Sequence, residues 1–161
     1  LMHRMMNIVL VGMPGCGKSM VGRLLAERLG RELLDADAAV ETAAGCTIPE
    51  IFAQGGEAAF RRMETQALEA LGKRSGCVIA TGGGCVTRAE NYPLLHQNSV
   101  IVWLQRDTAR LPSKGRPLSQ NADLAAMYAV RAPLYARFSD YSADNNGSPE
   151  ETVRHIMEVL S

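Results

Sequence analysis

The sequence predicts an α/β fold in which a parallel β-sheet carries helices on both faces. Short, almost wholly apolar and β-branched runs at 7–11, 77–80 and 99–104 are typical of strands that are buried on both faces. Segments with apolar residues at helical spacing separate these runs, and that alternation is typical of α/β proteins. The chain of 161 residues is long enough to bury one core, so we predict a single domain over residues 1–161.

Periodicity and capping signals define the elements that follow the first strand. Apolar residues at helical spacing over 20–29 predict a helix, and Gly30 supplies its C-cap. Residues 32–35 predict a second short strand. The segment 47–50 has the form of a capping box with a proline in the first turn, and a longer helix is predicted after Gly56.

The C-terminal part contains one polar loop and two helices after the strand at 99–104. Residues 105–120 are polar, basic and proline-bearing, which predicts a loop. Apolar residues over 124–138 predict a helix with a kink at Pro133. Ser148, with the proline and two glutamates after it, predicts the N-cap of a final helix that runs to residue 160.

Composition limits the class of partner and the compartment. The 17 basic residues balance 17 acidic residues, which argues against a nucleic-acid-binding module. No apolar run approaches the roughly 20 residues that span a bilayer, and the first residues lack the apolar region of a signal peptide. The cysteines have neither CxxC spacing nor histidine partners, so we expect reduced thiols in a cytosolic protein. They are Cys16, Cys46, Cys77 and Cys85.

Residues 12–19, GMPGCGKS, fit the P-loop pattern GxxxxGK[ST], with a strand before and a helix after. An ordinary glycine turn is the alternative, and this context disfavours it. The glycines let backbone N–H groups surround phosphate oxygens, Lys18 reaches the β- and γ-phosphates, and Ser19 can ligate Mg²⁺. The predicted nucleotide-binding set is Gly12, Gly15, Cys16, Gly17, Lys18, Ser19 and Met20.

Cys16 has two interpretations. Its position beside Lys18 and a helix N-terminus can lower the pKa of a thiol and make it reactive. The favoured interpretation is a small residue that fills space.

Two carboxylates follow the second strand as Asp35-Ala36-Asp37. The carboxyl ends of parallel strands face the ligand crevice, and residues two apart in an extended segment point the same way. One carboxylate can therefore hold Mg²⁺ through water while the other accepts a proton from an attacking hydroxyl. The alternative is a solvated helix cap. No acidic residue ends the strand at 77–80, so Asp35 would supply the metal contact.

Arginines and glycines complete the candidate acceptor site. Arg61 and Glu64 share a helix face, either as a surface ion pair or as an arginine fork held for a substrate carboxylate. Three glycines at 82–84 suit the close approach of a ligand to backbone. Arg116 ends the basic loop and Arg131 lies in the following helix, and an arginine on a mobile segment can close over the phosphates. For the other basic residues of that loop, Arg106, Arg110 and Lys114, the alternative is a solvated surface charge.

These residues together resemble the shikimate kinase family, over nearly the whole chain. The P-loop alone is common to very many families, whereas the full set of motifs in this order along the chain is specific to this family. The resemblance rests on GMPGCGKS, Asp35-Ala36-Asp37, residues 51–61 (IFAQGGEAAFR), Glu64, residues 81–84 (TGGG), residues 115–118 (GRPL) and residues 131–135 (RAPLY).

The resemblance implies a nucleoside-monophosphate-kinase-like fold with a five-stranded parallel sheet of order 2-3-1-4-5. It implies transfer of the ATP γ-phosphate to the 3-hydroxyl of shikimate, with Mg²⁺, in the biosynthesis of aromatic amino acids. Lys18, Asp37 and Arg116 would be catalytic, Ser19 and Asp35 would serve Mg²⁺, and Arg110 and Pro149 would contact the nucleotide. The shikimate-binding residues would be Asp37, Arg61, Glu64, Gly82, Gly83, Gly84 and Arg131.

Two segments depart from the family pattern. The segment 104–116 is several residues shorter than the lid that is usual in the family. The segment 144–147 lacks the basic residue that in the family often contacts the nucleotide just before the final helix. We expect an acceptor-binding segment at about 36–64 and a short lid at about 106–118.

Two other functions stay open from the sequence. One is a kinase for another small acceptor, such as gluconate or a nucleoside monophosphate, against which the triple glycine and Arg61 argue. The other is an inactive nucleotide-binding regulatory module, which only the short lid supports. Either way we expect small-molecule substrates, a monomer, and neither nucleic acid nor membrane as partner.

Overall fold

The computed structural model describes residues 5–111 and 118–161, with the side chains of residues 118–122 excluded. Five parallel strands form one sheet of order β2-β3-β1-β4-β5, with helices on both faces, as expected. In the centre, Val9 pairs with Ile79 on one side and Ile101 on the other. The strands are β1 Asn7–Val11, β2 Leu33–Asp35, β3 Val78–Ala80, β4 Ser99–Gln105 and β5 Tyr141–Asp144.

Within the described residues, six α-helices connect and cover the strands. They are α1 Lys18–Leu29, α2 Ala36–Ala44, α3 Ile48–Gly72, α4 Asn91–His96, α5 Leu118–Phe138 and α6 Pro149–Leu160. The central strand β1 is buried along its whole length, so the main core lies on both sides of it. Of the helices that the structure describes, none has the length and apolarity needed to cross a bilayer.

Helix α3 begins at the predicted capping box and continues past the glycine pair at 55–56. The capping box at Thr47 is confirmed, since Glu50 N–H donates to Thr47 Oγ1 and Glu50 Oε1 accepts from Thr47 N–H. The helix therefore starts at Ile48 and is interrupted at Gly56, where φ is 75°. The longer helix predicted after Gly56 is the second part of α3, because the glycine pair interrupts the helix without ending it.

Several elements were not foreseen from periodicity. Helix α2 follows β2 without a loop, and α4 has only six residues. Strand β5 has the sequence YSAD, which contains no apolar run, and all of its residues except Ala143 are exposed. The predicted loop at 105–120 was too long, because a short 3₁₀ turn occupies Thr108–Arg110 and α5 begins at Leu118. Helix α5 continues through Pro133, and α6 begins at the predicted Ser148 cap.

Candidate active site

The phosphate loop lies between β1 and α1, with its glycines in conformations that side chains disfavour. Gly15 and Gly17 have φ of 76° and 96°, and a Cβ added at Gly12 would lie 2.9 Å from the Leu104 carbonyl oxygen. Lys18 is buried, and its ammonium donates to the carbonyl oxygens of Gly12 and Met13 at 2.7 and 2.8 Å. The loop thus holds a positive charge beside a helix N-terminus, which suits a polyphosphate.

Cys16 packs beneath this loop. Its side chain is 3% exposed, with Sγ 3.8 Å from Lys18 Nζ and 3.0 Å from where a Cβ on Gly12 would lie. This packing supports the space-filling interpretation over that of a reactive thiol.

We therefore expect thiol reagents to modify half-buried Cys46 before Cys16, because a buried sulfur reacts only when the loop opens. Bound Mg·ADP should slow labelling of Cys16 further by keeping the loop closed. Peptide mass spectrometry of protein labelled for increasing times measures both rates. Equal Cys16 labelling with and without nucleotide would contradict nucleotide binding at this loop.

Asp35 and Ser19 bring two oxygen donors together at the ends of β2 and the phosphate loop. Asp35 Oδ2 lies 3.5 Å from Ser19 Oγ, while Asp35 Oδ1 accepts from the Ala38 N–H and caps α2. Asp35 can thus cap α2 with one oxygen and contact a metal ion with the other, so the two interpretations from the sequence are compatible. A hydroxyl and a carboxylate are oxygen ligands of the kind that a hydrated Mg²⁺ takes beside phosphates, so these residues fit that ion.

Asp37 reaches the site by a different route from the one predicted. It lies in the first turn of α2 rather than in an extended segment with Asp35, so the argument from alternating strand residues was wrong. Its side chain nevertheless approaches the glycine run, since a Cβ added at Gly82 would lie 2.8 Å from Asp37 Oδ1. That oxygen is buried and has no hydrogen-bond partner among the residues the structure describes. It is therefore available to a ligand.

Arg61 and Glu64 form a buried pair, which excludes a surface ion pair. Arg61 Nη1 donates to Glu64 Oε1 at 2.9 Å, and the Glu64 side chain is 1% exposed. Burial raises the pKa of Glu64, and the Arg61 hydrogen bond and charge only partly oppose that effect. Within the described part of the chain, Glu64 Oε2 and Arg61 Nε have no hydrogen-bond partner. The fork therefore keeps donor and acceptor capacity for a ligand.

The three glycines are required by the side chains packed against them. A Cβ at Gly83 would lie 2.7 Å from Pro14 of the phosphate loop, and a Cβ at Gly84 would lie 2.7 Å from Arg61 Cζ and Nη1. Side chains as large as alanine would push the phosphate loop, Asp37 and Arg61 apart. The glycine run thus brings the donor and acceptor sides together.

Helix α5 brings Arg131 and Tyr135 to the same side. Burial raises the pKa of Tyr135 and of Glu64, and the positive charge of Arg131 partly opposes that rise at both groups. Arg131 therefore lies near both side chains. The Tyr135 hydroxyl donates to the Gly83 carbonyl oxygen at 2.5 Å. From the sequence, Tyr135 was predicted only as an apolar helix residue, although it lies in the segment 131–135 on which the family resemblance rests.

Two cavities meet at the phosphate loop and share Gly15, Gly17 and Met20. The acceptor-side cavity, about 460 Å³, is also lined by Lys18 and Asp37 and by other residues of these loops. The base-side cavity, about 250 Å³, includes the predicted Arg110 and Pro149 together with Arg106 and Asn145, which sequence reasoning missed. Arg116 lies outside the described residues.

Known proteins match this sequence and this fold. The sequence model of shikimate kinase matches residues 14–161. The shikimate kinase of Parasynechococcus marenigrum (strain WH8102) is 44% identical over 164 residues, which cover 96% of this chain and 85% of the relative.

Solved structures agree with that match. A shikimate kinase from Acinetobacter baumannii in complex with shikimate has a TM-score of 0.87 and 38% identity, covering 97% of this chain and 93% of that one. A shikimate kinase from Bacteroides thetaiotaomicron has a TM-score of 0.87 and 26% identity, covering 97% and 98%. Sequence and architecture agree over nearly the whole chain, which therefore belongs to the shikimate kinase family.

Proposed function

We propose that this chain transfers the γ-phosphoryl group of ATP to the 3-hydroxyl of shikimate, giving 3-phosphoshikimate and ADP. The observation that carries the proposal is the meeting of the two cavities at the phosphate loop. A nucleotide with its base beside Pro149 and its phosphates over the loop directs its last phosphate toward Lys18 and Asp37. A small hydroxyl acceptor in the second cavity then lies next to that phosphate.

Phosphoryl transfer needs positioning and charge stabilisation more than covalent chemistry. The acceptor oxygen attacks the γ-phosphorus, the bond from that phosphorus to the ADP oxygen breaks, and the hydroxyl proton passes to Asp37. Asp37 Oδ1 suits this role because it is buried and free of other partners among the described residues. Lys18 balances the charge that spreads over the phosphate oxygens.

The acceptor side carries the features that select a small carboxylic acid. Arg61 and Arg131 bind the shikimate carboxylate, and Glu64 holds the Arg61 guanidinium in orientation. Gly82, Gly83 and Gly84 let the ring approach the backbone. Asp37 contacts ring hydroxyls on the side that faces Lys18.

Ser19 and Asp35 are the residues that would hold the Mg²⁺ of the nucleotide. The ion would neutralise phosphate charge and orient the β- and γ-phosphates. Asp35 keeps its helix-capping bond to Ala38 in this role, which fixes the direction of its second oxygen.

The domain assignment is a further proposal from the sequence. It comprises one domain over residues 1–161, an acceptor-binding segment at about 36–64 and a short lid at about 106–118. Residues 112–117, which include the predicted catalytic Arg116, lie outside the described part of the chain. Monomeric state and cytosolic location are further predictions from the sequence. Size-exclusion chromatography with light scattering checks the first.

Coupled measurement of ADP release from Mg·ATP tests the proposed function. Shikimate should stimulate release strongly, while gluconate and AMP at equal concentration should leave it near the rate without acceptor. Stimulation by gluconate or AMP alone would assign the chain to another small-molecule kinase. Nucleotide binding with no response to any acceptor would favour a regulatory module.

The pH dependence should report Asp37. Burial, and next the Asp35 carboxylate, raise the pKa of Asp37 above its ordinary 3.8. We expect kcat/KM for shikimate to fall on acidification with a midpoint above 3.8, because the base must be ionised. Glu41→Gln should lower that midpoint, since the Glu41 charge also raises the pKa. An unchanged midpoint in that variant would contradict Asp37 as the titrating group.

The same shift has a consequence for stability. A carboxyl whose pKa is raised by folding contributes stability below its ordinary pKa and loses that contribution as pH rises through the folded pKa. The Tm of Asp37→Asn should therefore increase relative to the Tm of the unsubstituted protein as pH rises from 3.8 through the raised pKa of Asp37. Thermal denaturation of both ligand-free proteins over this range checks the sign.

A further inference from the structure

Asn145 lies at the start of the loop between β5 and α6, called here the β5–α6 loop (residues 145–148). The residue is 3% exposed, and all of its polar groups are bonded. Its backbone N–H donates to the Gln105 carbonyl oxygen at 2.8 Å, and its own carbonyl oxygen accepts from Arg106 Nη1 at 2.6 Å. The side chain makes two further bonds, to the phosphate loop and to α6.

The first side-chain bond reaches across the site. Asn145 Nδ2 donates to the Cys16 carbonyl oxygen at 2.5 Å, inside the phosphate loop. A phosphate cradle needs its N–H groups to point inward, so carbonyl groups that point outward into protein require donors. Asn145 supplies that donor to the Cys16 carbonyl.

The two side-chain bonds together fix which way the amide faces. The Cys16 carbonyl can only accept, so the NH₂ end of the amide faces it, and at the other end Thr152 Oγ1 on α6 donates to Asn145 Oδ1 at 2.6 Å. Thr152 is fully buried, so no water replaces this bond at the surface. The amide is therefore held in a single orientation.

The β5–α6 loop also lines the place where the base would lie. Asn145, Gly147 and Pro149 border the base-side cavity together with Arg106 and Arg110. Arg110 Nη1 donates to the Asn146 carbonyl oxygen at 3.2 Å, so both arginines bind this loop. One segment thus contacts the base-side cavity and, through one amide, supports the phosphate loop.

We propose that Asn145 is a positioning residue that couples the β5–α6 loop to the phosphate loop and so keeps the base and phosphate ends of the nucleotide in register. This inference rests on the proposed nucleotide site but not on shikimate as the acceptor. Losing the amide frees the Cys16 carbonyl and lets the two loops move independently. Misplacement by about 1 Å is enough to reduce transfer by orders of magnitude.

The test is ADP binding by titration calorimetry, with KM values for ATP and shikimate measured alongside. Asn145→Ala should weaken ADP binding and raise the KM for ATP at least tenfold, with the KM for shikimate within twofold. Thr152→Val removes the hydroxyl that bonds Asn145 Oδ1, together with its 3.3 Å bond to the Ser148 carbonyl oxygen, and should weaken ADP binding by about threefold or more.

Asn7→Ala is the matched control. Asn7 is also a fully buried asparagine, and it lies at the end of the sheet opposite the phosphate loop. Its side chain joins β1 to the segment before β3, because Asn7 Nδ2 donates to the Arg74 carbonyl oxygen and Asn7 Oδ1 accepts from the Cys77 N–H. We expect it to lower Tm without changing ADP affinity by more than twofold. A purely structural role for Asn145 would make the two variants behave alike.

The possible results distinguish the role of Asn145 from a purely structural role and from the choice of acceptor. Equal ADP affinity in Asn145→Ala and the unsubstituted protein, or equal weakening in Asn7→Ala, would overturn the proposal. If Asn145→Ala does not fold, Thr152→Val decides, and unchanged ADP affinity there overturns it. ADP binding without shikimate turnover would reject the proposed acceptor while leaving the Asn145 test intact, whereas no ADP binding would reject both.

Discussion

Asp37→Asn is expected to lower kcat for shikimate phosphorylation by a factor of about 10²–10⁴, the usual contribution of a general base. The amide keeps the size of the side chain but cannot accept the hydroxyl proton. Steady-state ADP release at saturating ATP and shikimate measures the loss. The effect should lie in kcat, because the proton moves only as the reaction proceeds.

Binding and folding provide the controls for this substitution. ADP affinity should stay within about twofold, and Tm at neutral pH should not fall, since a desolvated charge is removed. Glu69→Gln, an exposed carboxylate-to-amide change on α3, should leave kcat unchanged. A kcat for Asp37→Asn close to that of the unsubstituted protein would show that another group, or no base at all, takes the proton.

Arg61→Met is expected to raise the KM for shikimate by roughly 10- to 100-fold, because one or two charge-assisted hydrogen bonds to the acceptor carboxylate are lost. The KM for ATP should change little, since Arg61 does not line the base-side cavity. The same variant should also unfold more easily. Removing one partner of a buried ion pair costs about 3–5 kcal/mol because the other charge stays buried alone.

A second substitution separates the two effects of Arg61. Arg61→Met combined with Glu64→Gln removes the stranded charge, so stability should recover while the KM for shikimate stays high. Arg62→Met, the exposed neighbour on α3, is the matched control and should leave both quantities unchanged. Recovery of the shikimate KM together with stability would mean that Arg61 has only a structural role.

The central sheet and the phosphate loop could be predicted because both have strong local signals. β1 and β4 are continuous apolar runs, and GMPGCGKS has a pattern set by its own backbone. Helix α2 gave no such signal, because it starts directly at the Asp35 cap without a loop to mark it. Strand β5 is exposed at the sheet edge, so its polar sequence YSAD carried no apolar pattern.

The sequence predicted that Asp37, Arg61 and the glycine run would lie together, but the reasons given for that proximity were only partly correct. Asp37 approaches Gly82 from a helix rather than from a strand, and the glycines accommodate Arg61 and Pro14 of the chain itself. The contacts of Asn145 and Tyr135 could not be foreseen. Asn145 bonds to Cys16 over 129 positions and Tyr135 bonds to Gly83 over 52, and no local pattern encodes such pairs.

A crystal structure of the protein with Mg·ADP and shikimate bound together tests the central claim most directly. We predict that the shikimate carboxylate lies between Arg61 and Arg131, and that its 3-hydroxyl lies within hydrogen-bond distance of Asp37 Oδ1, facing the ADP β-phosphate over Lys18. A shikimate carboxylate bound away from Arg61, or a 3-hydroxyl turned away from Asp37 and the phosphate loop, would contradict the account.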